Sequence, residues 1–462
     1  MKPRNYRGNG ENARTKATNS MEMINPNTAG IDVGSEEHWV CVPSDRAEKN
    51  VSPFGVYTCD LRGIAEWLKK CGVTSVAMES TGVYWIPLYQ VLEKEGFDVV
   101  LVNARHLKSV AGRPKTDVYD CQWIQRLHSY GLLNASFRPD DDICVIRSFQ
   151  RHREELTEST SRHVLHMQKC MQQMNVRLDE VVSDIMGKTG LAIIEAILSG
   201  EHNPAKLAKL RDNRVSADEE EIARALDGDY REEHLFVLRQ SLESYKFIHV
   251  QIAACDWEIK TCLEEMEKKV DGNLKPLPPS TAGSKRSNRN QPTFDVRPCL
   301  YESFGVDLTQ VPGFQSSTIL TFLSEVGTNM SAWPTSKHFA SWLGLCVNKE
   351  ISGGKILKNR TRKVKNRASE AFRMAASSLR NSICYLGVFY RRIKFRRGAP
   401  KAITATAHKL AVIFYHMVKE GKPYKEVELS RYYGDCRKKT LKNLKNRAKS
   451  LGFELVPATA NV

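Results

Sequence analysis

Four acidic residues stand where acids are disfavoured or where they repel one another. Asp32 interrupts the apolar run GIDVG, and Glu79 ends another, VAMES. Aspartate is depleted in strands, and taking an unpaired carboxylate out of water is costly. Asp117 and Asp120, in KTDVYD, are three residues apart, which puts them on one face of a helix. Two acids on that face repel each other unless a cation lies between them. Mg²⁺ suits such a set because it prefers oxygen ligands. One or two such ions can stabilise the attacking and leaving oxygens of a phosphodiester. Taken singly, each acid has a plainer reading. Asp32 could be a satisfied turn or edge residue, and the Asp-x-x-Asp pair a solvated helix face.

The elements around these acids favour the joint reading. TAGIDVG, HWVCVPS and PFGVYTC read as three strands, followed by the helix DLRGIAEWLKKCG. Then come the strand TSVAMES, the helix VYWIPLYQVLEKEG, the strand FDVVLVN, and the helical stretches ARHLKSVAG and VYDCQWIQRLHSYG. Three successive strands followed by βα units predict a mixed sheet covered by helices. In a sheet of order 3-2-1-4-5 the first and fourth strands are neighbours, so Asp32 and Glu79 would meet the helix pair at one point. That pattern resembles the RNase H-like fold of retroviral integrases and RuvC-type Holliday-junction resolvases. The expected fold class is an α/β RNase H-like (RuvC-like) N-terminal domain, a long coiled-coil helical insertion and a mostly α-helical C-terminal domain.

The expected division is a polar, disordered, basic N-terminus over 1–26, the sheet domain over 27–142, and a helical segment over 143–271. A flexible linker rich in Pro, Ser, Asn and Lys over 272–297, a helical domain over 298–420 and a basic extension over 421–462 complete it. Val164, Met167, Met171, Met174, Leu178, Val181 and Ile185 alternate spacings of three and four, an apolar heptad seam. A second seam runs from Leu235, Leu238, Leu242 and Tyr245 to Ile252, Cys255, Ile259, Cys262 and Met266. Two such helices predict an antiparallel hairpin or a coiled coil between subunits. The methionines read as packing.

The formal charge of +16 points to a polyanion, most commonly nucleic acid. Three clusters carry much of it. They are Lys355, Lys358, Arg360, Arg362, Lys363, Lys365 and Arg367; then Arg391, Arg392, Lys394, Arg396, Arg397 and Lys401, with Tyr390 and Phe395 interleaved; then Lys438 to Lys449. Clusters of this density favour phosphate contacts over solvated faces, and the aromatic rings could stack on unpaired bases. No run of about eighteen apolar residues suggests a membrane span, and the N-terminus lacks the apolar core of a secretory signal. No cysteine sits in a CxxC pair, which predicts reduced thiols in a cytosolic protein rather than a zinc site.

The resemblance is closer than fold level. GIDVGSEEHWVCV, the long segment from AMESTGVYW to KTDVYDCQWIQRL, and LSEVG with WLGLCVNKEISGGK resemble the insertion-sequence-110 family of DEDD transposases, also described as bridge-RNA-guided recombinases. The similarity covers residues 28–138 and 305–380. It implies that Asp32, Glu79, Asp117 and Asp120 form a Mg²⁺-binding tetrad, and that Ser352, in EISGGK, is a nucleophile beside it. It further implies DNA as donor and target, a noncoding guide RNA, a dimer or tetramer, and a cytoplasmic, nucleoid-associated location in a bacterium. By its residues alone, Ser352 reads as a polar turn, and a serine nucleophile needs an activating base or metal. The alternative to serine-mediated strand exchange is a RuvC-like, metal-dependent junction-resolving endonuclease that uses water. Two departures stand out. Ile351 precedes Ser352 where many members have a second serine, and Gln315 replaces the second glycine of the usual PGIG loop.

Overall fold

The computed structural model describes residues 22–80, 82–103, 116–267, 276–277, 279 and 290–456. The chain divides into two compact units, residues 1–138 and 139–462. Residues 1–21 of the expected disordered N-terminus, the helix ARHLKSVAG and most of the expected linker lie outside the described residues.

Unit 1 is a five-stranded mixed sheet of order β3-β2-β1-β4-β5. Its strands are β1 (Thr28–Val33), β2 (His38–Cys41), β3 (Val51–Phe54), β4 (Ser75–Glu79) and β5 (Asp98–Val102). β1, β4 and β5 are parallel, and β2 and β3 return antiparallel at one edge. Alternate residues of a strand face opposite sides. Ala29, Ile31 and Val33 of β1 and Val76 and Met78 of β4 pack under α1 (Thr58–Lys70) and α2 (Trp85–Lys94), with Ile64, Leu68, Leu88 and Leu92 fully buried. The opposite face is covered by α3 (Asp117–Ser129), whose Ile124 packs on Ala77 and Val102.

The third strand corrects the sequence reading. PFGVYTC is not one strand: β3 ends at Phe54, and helix α1 starts at Thr58. The Asp60 carboxylate accepts the backbone N–H of Tyr57 at 3.1 Å. This is a local capping bond that β-propensity alone does not reveal.

Unit 2 is built on two long helices, α4 (Asp141–Gln173) and α9 (Glu232–Glu265). They run antiparallel: Arg153 pairs with Asp256 near the middle, and Met167 and Met171 pack with Leu238 and Leu242 nearer one end. The first apolar seam does not continue as a single helix. α4 stops at Gln173, and Asn175 turns the chain in the left-handed region at φ 57°. Beyond it, Leu178 and Ile185 join Ile193, Ile197 and Leu207 in a small core over α5 (Leu178–Val181), α6 (Lys188–Leu198), α7 (Pro204–Ala208) and α8 (Glu219–Ala225). The Met167, Met171 and Met174 side chains are packing residues within that core. On the outer face of α9, Phe247, Val250 and Trp257 are exposed.

The Arg153–Asp256 pair is the most buried ion pair joining these helices. Asp256 is fully buried; it accepts from Arg153 at 2.5 Å and from the Thr293 backbone N–H at 2.9 Å. Arg153 also donates to the Asn290 carbonyl at 3.2 Å. Removing one partner strands the other charge in an apolar setting. Asp256→Ala is therefore expected to cost about 3–5 kcal/mol, measured by urea denaturation of unit 2. A loss below about 1 kcal/mol would show that water reaches the pair.

The remainder of unit 2 is α10 (Arg297–Phe304), α11 (Ser316–Val326), α12 (Ser336–Trp342), the hairpin β6 (Val347–Ser352) and β7 (Lys355–Thr361), α13 (Arg367–Ser378), α14 (Tyr385–Arg397), α15 (Ala399–Glu420) and α16 (Leu429–Ser450). Its core is aromatic: Phe322, Phe339, Phe372 and Phe414 are fully buried and in ring contact. α4 is tied to this core by Arg151, whose guanidinium donates twice to buried Glu325 at 2.8 Å, and by Arg147, which donates to the Ser324 and Glu325 carbonyls. Among the described residues no helix is long and apolar enough to cross a membrane, and no disulfide joins the described cysteines.

Candidate active site

Strand parity sets the placement of the first two acids. Asp32 shares a face of β1 with Thr28 and Gly30, and Glu79 shares a face of β4 with Ser75 and Ala77. That face is the one covered by α3. Ile31 is level with Met78 in the parallel pairing, so Asp32 and Glu79 leave neighbouring strands at the same end. Ser80 holds the chain end beside them: its backbone N–H donates to the Val102 carbonyl at 3.0 Å, and its hydroxyl to the same oxygen at 3.2 Å.

α3 runs antiparallel to these strands. At its C-terminal end His128 meets the Ser75 hydroxyl at 2.8 Å, where β4 begins, and Ser129 accepts the backbone N–H groups of Ile24 and Asn25. Its N-terminal end, with Asp117 and Asp120 in the first turn, therefore lies toward the strand ends that carry Asp32 and Glu79. Thr116 caps this end by accepting the Tyr119 N–H at 3.4 Å. The helix dipole favours acids there. Asp117 is exposed; Asp120 is half-buried, as are Asp32 and Glu79. Asp32 is close enough to Cys121 to act on it. The thiol is pushed far up by its hydrogen bond with Cys41, then by burial, with the charge of Asp32 adding to both.

Gly30 is what lets α3 approach so closely, and the sequence reading missed it. A Cβ at this position would lie 2.2 Å from the Gln125 backbone nitrogen and 2.4 Å from the Cys121 carbonyl oxygen. Neither backbone atom can swing aside, so Gly30→Ala has to lift the helix. The expected cost is about 1–3 kcal/mol, with a loss of DNA cutting larger than the loss of folded protein, since two acids ride on α3. Comparing thermal unfolding with specific activity of the folded fraction checks this. Equal losses in both would contradict it.

The four acids share one end and one face, but among the described residues no three His, Cys, Asp or Glu side chains are gathered closely enough to hold an ion together. The donor set itself is all carboxylate oxygen, the chemistry of a hard divalent cation such as Mg²⁺.

Ser352 belongs to unit 2, apart from the tetrad's unit. It is the last residue of β6, opposite Lys355, at the tip of a two-residue turn. Gly353 and Gly354 form that turn with φ of 54° and 75°, the pair of positive values that a tight hairpin turn of matching twist requires. Every residue of β6 is exposed, Ile351 included. Within the hairpin Glu350 is engaged with Lys358 at 2.9 Å.

The basic clusters divide by role. Arg362 donates to the Ser341 carbonyl, Arg367 pairs with Glu154, and Arg391 donates to the Arg380 and Ser382 carbonyls. These hold the fold together. Tyr390 is buried at 3% exposure and offers no ring to a base, which corrects its expected role, whereas Phe395 is 94% exposed. Lys438 to Lys449 lie on α16, where no described side chain is buried.

Residues 29–176 match a family model described as Transposase, and residues 307–384 match one described as Transposase IS116/IS110/IS902 family. Both matches are to transposases, which makes this a DNA-cutting enzyme of mobile elements; the acids lie in the first matched segment and the glycine hairpin in the second. No curated protein matches the chain. The chain belongs to the IS110 family of transposases.

Proposed function

We propose that this transposase cuts and rejoins DNA strands through a composite site, in which the acids of unit 1 bind Mg²⁺ and Ser352 of unit 2 attacks the phosphate. The observation that carries the reading is the common face and common end of Asp32, Glu79, Asp117 and Asp120. Mg²⁺ bound there supplies charge stabilisation to a phosphodiester that gains negative charge as it is attacked. Half-buried Asp32, Glu79 and Asp120 would hold it, with exposed Asp117 at the rim. The turn beside Ser352 is open, since a Cβ added at Gly353 or Gly354 would meet nothing within 4 Å, and Ser352 itself is exposed. Its oxygen bonds to phosphorus, one sugar hydroxyl leaves, and the reverse attack by a sugar hydroxyl on the phosphoserine ester rejoins a strand.

Among the described hairpin residues Glu350 is the one acid, and Lys358 engages it. Activation of Ser352 therefore depends on groups outside the hairpin. A two-stranded hairpin is marginal by itself, and exposed Ile351, Ile356 and Leu357 favour its docking on another surface when the enzyme works. The exposed Phe247, Val250 and Trp257 stripe supports pairing of two copies along α9, and the excess of positive charge supports a guide RNA as well as DNA.

The testing experiment incubates the full chain with its bound RNA, DNA and Mg²⁺, denatures the mixture in detergent and maps any DNA-linked peptide by mass spectrometry. A phosphodiester to Ser352 is expected. Cut DNA with no protein attached would favour the junction-nuclease reading, in which water attacks.

A further inference from the structure

Beside the base of the Ser352 hairpin, unit 2 contains a cleft of about 1820 Å³. Its walls are the hairpin ends at Val347 and Thr361, the surfaces of α14 and α15, and the segment 422–427 ahead of α16. Most of this wall lies beyond residue 384, where the second family match stops.

The lining has two chemistries at once. Arg360, Lys363, Arg392, Arg396, Arg397 and Lys401 come from the hairpin, the segment after it and the two helices. Among the described lining residues Glu420 is the single acid, and it is engaged by His416 at 2.8 Å and Lys422 at 2.9 Å. Between these cations lie rings. Lys409 sits 4.7 Å from the Phe389 ring centroid and donates to the Tyr385 hydroxyl at 2.7 Å. Tyr432, from the start of α16, meets Tyr385 edge-on with centroids 4.8 Å apart. The Tyr385 backbone N–H donates to Glu426 at 3.3 Å, which fixes the segment before α16 against the mouth of the cleft. Burial first, and Lys409 second, lower the pKa of His408 on this wall, leaving a neutral hydrogen-bonding group there.

We propose that this cleft binds one unpaired nucleic-acid strand, with its phosphates on the arginines and lysines and its bases against Tyr385, Phe389 and Tyr432. A cationic track alone would suit a duplex equally well. The rings decide, because base faces in a duplex are covered by their neighbours, whereas unpaired bases can stack on aromatic side chains. The position gives the strand a use. β6 runs from the cleft at Val347 to Ser352, roughly 16 Å at 3.3 Å per residue, so a strand leaving the cleft along the hairpin arrives at the nucleophile. This inference rests on the transposase reading for its purpose but not for its test.

The test measures binding of fluorescent single-stranded DNA, single-stranded RNA and duplex DNA of one length to the full chain, by anisotropy over a salt series. In Arg396→Ala/Arg397→Ala, both single strands are expected to bind at least about tenfold more weakly, with the salt slope reduced by about two. Phe389→Ala is expected to lose about tenfold with little change in slope, the signature of stacking. Duplex binding should fall less in each variant. The RNA and DNA arms tell a guide from a displaced DNA strand by which one loses more. Single-strand affinity within twofold of wild type in the double variant, or equal losses for duplex and single strands, would overturn the cleft. Circular dichroism of each variant separates misfolding from lost contacts. The readout is binding and involves no strand cleavage, so a failed nucleophile assignment would leave this result untouched.

Discussion

Ser352→Ala should lose the covalent protein–DNA adduct entirely and lower strand exchange by at least about a thousandfold, while leaving the fold unchanged. The side chain is exposed at a hairpin tip and touches no core, so truncating it removes a hydroxyl and little else. Ser352→Cys is the informative companion, because a thiol keeps a nucleophile at the same point. Denaturing gels with labelled DNA read both variants. Adduct formation at the wild-type level in Ser352→Ala would end the serine assignment and point to another side chain as the nucleophile, whereas cutting without any adduct would return the chain to water-mediated cleavage.

Asp32→Asn is expected to reduce cutting by a comparable factor through a different loss. The amide keeps the shape and removes the charge, so the strand should still form. What would disappear is the proposed ligand for a metal that steadies the phosphate. A readout independent of cutting follows from mass action: an ion that binds the folded state raises its stability by an amount that grows with concentration. Wild-type protein should melt later as Mg²⁺ is added, and Asp32→Asn should show little of that rise. If both proteins respond to Mg²⁺ alike, Asp32 is not a ligand, whatever happens to activity. Glu79→Gln, from the neighbouring strand end, should behave in the same way.

The parts of this architecture that repeat with a short period could be read from the chain. Alternation along TAGIDV and SVAME fixes which residues face α3, and the order of strands and helices gave the neighbourhood of β1 and β4. The spacing of Asp117 and Asp120 placed both on the first turn of α3. Other features depend on one local bond or one close approach, which composition does not announce. The bond from Asp60 turns part of an expected strand into a helix start. The left-handed Asn175 ends a seam whose heptad spacing runs on regardless. Gly30 looks like any strand glycine until a helix backbone is found within 2.4 Å of where its Cβ would be. Thr116 did leave a trace, since a threonine just before a helical Asp-x-x-Asp run is a capping signal. Tyr390 shows the opposite failure: the residue after it, Arg391, is charged and exposed, yet its own position points inward.

The alternation along β1 also constrains how the gene can vary. A substitution at Ala29 or Ile31 changes packing by degrees, and a nearby change of size can compensate for it. Inserting or deleting a single codon between Thr28 and Asp32 is a different kind of event. It would turn every following side chain of the strand over, sending the aspartate among Ile64 and Leu88 and an aliphatic residue toward α3. No repacking restores a reversed strand, so this stretch should hold its length and keep Gly30 and Asp32, with drift in letters confined to its aliphatic positions.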